Sequence, residues 1–108
     1  MRVASRLKAD LAIAMRERDK LRVSTIRGLI SAIDNAGAVE VKSQGYDPKI
    51  GLGHDVARRD VSDDDIQRII IAESDDLLAA RDVYTGLGQT KRAEEFARRV
   101  EIVSSYLG

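Results

Sequence analysis

The sequence predicts an all-α, four-helix domain in which two shorter N-terminal helices pack on a long C-terminal helical hairpin. Three observations predict it. Apolar residues recur at helical spacing in four segments, and no segment sustains the alternation of a strand. Aromatic residues are confined to Tyr46, Tyr84, Phe96 and Tyr106, so the core must be Leu, Ile, Val and Ala, which suits helices better than a sheet. The stretch Val61-Ser62-Asp63-Asp64-Asp65-Ile66 is a strong helix start. Ser62 is a good N-cap, Asp65 lies three residues on as in a capping box, and three carboxylates meet the positive end of a helix dipole. The 108 residues have room for one domain, spanning 1–108.

The first helix is predicted over Val3 to Arg16, with Val3, Leu7, Leu11 and Met15 as its stripe. The second begins at Asp19, a plausible N-cap, after a tight connection through Glu17 and Arg18. It buries Val23, Ile26, Leu29, Ile30 and Ile33 and turns Lys20, Ser24, Arg27 and Ser31 outward. Gly28 costs roughly 1 kcal/mol against Ala in a helix interior, which predicts a close helix contact there. Asn35-Ala36-Gly37 is a C-terminal signal, so a long loop is expected over 36–60, with three glycines around Pro48 and no sustained period. The third helix spans Asp63 to about Thr85, with Ile66, Ile70, Leu77, Ala80 and Tyr84 on one face and Glu73 as the polar break. Its length predicts an end that overhangs the first two helices. Gly86 and Gly88 break it, and Gln89-Thr90 opens the fourth helix, whose stripe is Phe96, Val100, Val103 and Leu107 with Ala93 and Ala97 beside it. Glu94–Arg98 and Glu95–Arg99 are spaced for intrahelical ion pairs.

The absence of cysteine excludes disulfides, zinc–thiolate sites and thiol catalysis. No apolar run approaches the ~20 residues that cross a bilayer, and Lys8, Asp10 and Arg16 interrupt the N-terminus where a signal peptide would be apolar. A soluble, cytoplasmic protein without a membrane partner is therefore expected. Formal charge is balanced, but unevenly along the chain: residues 1–40 carry eight Lys/Arg against five Asp/Glu, and 62–108 carry six against ten. The basic end holds the main candidate for ligand contact. Arg16, Arg18, Lys20, Arg22 and Arg27 gather around the first turn and along one side of the second helix, a pattern suited to phosphates, although Glu17 and Asp19 are interleaved and no aromatic lies near in sequence.

Other features read as structural. His54, the lone histidine, has no second ligand or nucleophile near it and reads as a solvated loop residue. Asp63, Asp64 and Asp65 point about 100° apart on a helix, so dipole complementation explains them better than a metal. Glu73 is expected at the rim of a helix interface, reaching solvent or pairing with an arginine such as Arg27. Gly51-Leu52-Gly53 and Gly86-Leu87-Gly88 are single G-x-G pairs without the rest of a phosphate loop. No cofactor site is predicted, and no nucleophile, base or ATP loop points to catalysis by this chain.

Asp19-Lys20, then Thr25-Ile26-Arg27-Gly28-Leu29-Ile30-Ser31-Ala32-Ile33-Asp34-Asn35, then Val61 to Asp65, and finally Glu101 to Leu107, follow in an order that resembles the YqeY-like proteins. These share a region with the tail of the B subunit of the glutamyl-tRNA(Gln) amidotransferase, a carbon–nitrogen ligase that uses glutamine as amido donor. Arg27, Leu29, Ala32 and Asn35 fit the family's second-helix pattern. Two departures stand out: the 36–60 loop is long and glycine-rich, and family members usually continue past the position of Gly108 into a second small helical domain. The resemblance implies an accessory binding module for tRNA or the tRNA-charging enzymes, with ammonia chemistry done elsewhere. The basic cluster then supplies the residues expected to contact RNA: Arg16, Arg18, Lys20 and Arg27. The alternative expectation is a protein-interaction or oligomerisation module that docks another subunit through the helical hairpin.

Overall fold

The computed structural model describes residues 2–43 and 61–108, with side chains described for all of these but 38–43. Four helices account for nearly all of it: α1 (Val3–Arg16), α2 (Lys20–Ser43), α3 (Asp63–Gly86) and α4 (Thr90–Ser104). The all-α, four-helix expectation holds, with α1 and α2 packed together and both lying against an α3–α4 hairpin. Among the described residues no helix is long and apolar enough to cross a membrane. His54 and most of the expected 36–60 loop lie outside the described residues.

Caps set the helix starts as expected. Ser62 Oγ accepts from the Asp65 N–H at 3.1 Å, and Asp65 accepts from the Ser62 N–H at 3.2 Å, closing the capping box of α3. Asp65 also pairs with Arg68 at 2.8 Å, so this member of the acidic run serves the helix start. Asp19 caps α2 by accepting from the Arg22 N–H at 3.1 Å.

One boundary differs. α2 passes through Asn35-Ala36-Gly37 and ends at Ser43, which makes it 24 residues long, the length of α3. A C-terminal glycine ends a helix only if the chain turns away there. The segment that follows is rich in helix-compatible Ala, Glu and Lys, and its first proline is Pro48.

The core is Leu7, Ala14, Ile26, Leu29, Ile66, Ile70, Val103 and Tyr106, with Val3, Leu11, Val23, Ile30, Ile33 and Leu77 packed around it. Two stripe positions depart from expectation. At the C-terminal end of α1 the buried residue is Ala14, and Met15 is 51% exposed. Every-fourth spacing drifts by about 40° per step, so after three steps Met15 has left the Val3 face, while Ala14 lies about 20° from it. Beyond α4, Tyr106 takes the buried place expected for Leu107, because the helix has ended at Ser104. Gly28, expected at a close helix contact, is instead exposed, and a Cβ there would meet nothing within 4 Å.

Candidate functional site

Both helical hairpins turn the same corner. In the first, the Arg18 N–H donates to Met15 O at 3.2 Å and the Asp19 N–H to Ala14 O at 3.0 Å. In the second, the Gly88 N–H donates to Thr85 O at 3.1 Å and the Gln89 N–H to Tyr84 O at 2.9 Å. This is the paired closure of a Schellman motif, which puts one residue in the left-handed region. Gly88 does so at φ 73° and Arg18 at φ 57°. Glycine adopts that conformation freely, whereas a side chain there costs about 1 kcal/mol. Arg18 is the only non-glycine residue with positive φ among those described.

The side chain held at that cost lines an open groove of about 660 Å³, formed with Met15, Lys20, Val23, Ser24 and Arg27. Of the four residues expected to contact RNA, the fold brings Arg18, Lys20 and Arg27 together here. Arg16 is exposed on the last turn of α1 and does not line the groove. Arg22 does not line the groove, and its charge bears on the phenol of Tyr106. Arg27 Nη2 donates to Met15 Sδ at 3.8 Å, which sets its guanidinium beside the apolar floor made by Met15 and Val23. Arg27 is therefore not the partner of Glu73. Among the described residues no ion pair forms at Glu73, and burial, with Asp76 beside it, pushes its carboxyl up.

Two arginines of α4 complete the corner. Arg98 Nη2 meets Asp19 Oδ2 at 2.9 Å, tying up the acidic residue that interrupts the basic run. Arg99 Nη1 donates to Ser24 Oγ at 2.8 Å and to Thr25 Oγ1 at 2.9 Å. The expected pairs with Glu94 and Glu95 give way to these contacts across to α2. Sequence spacing could not show which neighbour an exposed arginine would choose. Thr25 gives no sign of it either, since its buried hydroxyl already donates to the Leu21 carbonyl at 2.7 Å. Arg99 also lies over the Phe96 ring, 5.7 Å from its centre, and Phe96 stacks on Tyr84 at 5.3 Å. An aromatic pair thus stands one guanidinium away from the groove, although none is near it in sequence.

The Arg98–Asp19 contact also fixes the relative height of the hairpins. Eight residues of α4 precede Arg98, so roughly 12 Å of the α3–α4 hairpin extends past the α1–α2 corner. Val83 and Leu87, 59% and 63% exposed, lie at that overhanging end. Among the described residues no group of three or more His, Cys, Asp or Glu is placed to hold a metal ion. Comparison with known proteins gives no match to a family model, a curated protein or a solved structure.

Proposed function

We propose that the chain is an accessory binding module that recognises RNA through the α1–α2 groove, with tRNA as the class its resemblance to YqeY-like proteins suggests. The observation that carries this reading is the convergence of Arg18, Lys20 and Arg27 on one groove, with the intervening Asp19 neutralised by Arg98. Fixed cations gain affinity for a polyanion by releasing its condensed counterions. The reading assigns no catalytic group to this chain, and places Arg16 as a peripheral charge that steers RNA from outside the groove.

A gel-shift titration with unfractionated tRNA tests it. Replacing Arg18, Lys20 and Arg27 with Ala should weaken binding to unrelated tRNAs alike and flatten the salt dependence, with little effect on melting, because all three side chains are exposed. Wild-type protein that leaves tRNA unshifted at low salt removes the reading.

Val83 and Leu87 favour a second reading, in which the overhanging hairpin docks another protein subunit. Such an interface would persist at salt concentrations that release RNA.

A further inference from the structure

We infer that the α1–α2 groove takes an unpaired nucleotide of a single strand, its base against Met15 and Val23 and its phosphate, with those of its neighbours, on Arg18, Lys20 and Arg27. This rests on the RNA reading above and narrows it to one form of RNA. Two independent observations support it.

The first is the comparison of the two corners. Gly88 shows what the backbone geometry alone favours, and Arg18 occupies the same position in the corner that forms the groove. Helix-dipole complementation does not require a cation there, since Arg16 already supplies one in the last turn of α1 from a relaxed helical backbone. The strained side chain is explained by what the groove binds.

The second is the floor. Phosphates along a duplex engage cations but leave an apolar surface idle, and a paired base cannot reach it. A splayed base can. Met15 is half exposed and Val23 lies beside it, while Arg27 is bonded to the Met15 sulfur, so apolar surface and cation are adjacent within one groove. Its volume of about 660 Å³ lies within the range of sites for small organic ligands.

The test uses a short labelled single-stranded RNA, the same strand in a duplex, and an acidic Leu–Glu peptide. Fluorescence anisotropy is read at about 50 and 200 mM salt, where three phosphate contacts to a single strand give roughly an 18-fold loss of affinity and two give about 7-fold. The expected result is tighter binding of the single strand than of the duplex. Arg18→Gly should show the weaker salt dependence while its melting temperature stays level or rises, because the Gly88 corner accepts glycine. Met15→Gln should weaken the single strand and leave the duplex unchanged. Equal binding of strand and duplex overturns the inference and leaves the RNA reading standing. Arg18→Gly that lowers the melting temperature and spares binding also overturns it. Binding of the peptide with no binding of either RNA removes both.

Discussion

Tyr106, just beyond α4, donates its phenolic hydrogen to the carboxylate of Asp10 in α1, 96 positions earlier in sequence. The ring is 2% exposed, and the Arg6 guanidinium lies over it at 4.9 Å while donating to the Ser105 carbonyl at 3.3 Å. Gln67 of α3 adds a bond to the Tyr106 carbonyl at 3.4 Å. One aromatic residue therefore joins three helices, in a fold whose other core members are aliphatic.

Tyr106→Phe keeps the packing and removes the bond to a charged acceptor. It should cost about 1–2 kcal/mol in urea denaturation, toward the lower part of the range for such bonds because Asp10 is only half-buried and can be rehydrated. The cost should depend on pH. Burial, then the hydrogen bond and negative charge of Asp10, push the phenol up to about 12. Unfolded tyrosine ionises near pH ~10, so between about 10 and 12 the folded chain holds a proton the unfolded chain has lost, and stability falls as pH rises. This contribution is full below pH ~10 and gone above ~12. The stability gap between wild type and Tyr106→Phe should accordingly narrow from pH ~9 to ~11.5. A gap constant with pH would mean that neither burial nor Asp10 holds the phenol neutral.

Gly28 offers a change in the opposite direction. It is exposed within α2, and a Cβ would meet nothing within 4 Å. Gly28→Ala should stabilise the protein by about 0.5–1 kcal/mol, through restriction of the unfolded chain and better helix propensity. Thermal melting reads this directly, and a lower melting temperature would show that this position needs glycine after all.

Local signals and tertiary choices divide what could be read from sequence. The capping box at Ser62 and Asp65, the cap at Asp19 and the glycine corner at Gly88 act within a few residues, so sequence alone locates them. The burial of Leu7, Ile26 and Ile70 follows from periodicity in the same way. Ala14 replaced Met15 because a four-residue stripe rotates off the true 3.6-residue face. α2 runs past its glycine stop signal because that signal competes with the helix-forming residues that follow it. Arg98 and Arg99 were beyond reach for a different reason: their partners lie on α2, and only the packing of α4 against it decides between those partners and Glu94 or Glu95. Arg18 was legible as a charge, but its strain was not, since nothing in sequence says which residue of a tight connection takes positive φ.

The last prediction uses that interhelical pairing to test the electrostatics of the groove. Arg98 does not line it, yet Arg98 neutralises Asp19, which adjoins Arg18 and Lys20 in sequence. Arg98→Ala should cost under ~1 kcal/mol of stability, as exposed ion pairs do. It would also free a carboxylate beside the bound phosphates. At ~10 Å in water, one such charge disfavours each phosphate by about 0.4 kcal/mol, roughly twofold in affinity. Adding Asp19→Asn should restore binding, since asparagine still caps α2 but carries no charge. Filter binding of tRNA to the single and double variants at low salt measures this. Restoration in the double variant would locate the effect at Asp19, whereas equal loss in both would mean that Arg98 touches the RNA itself.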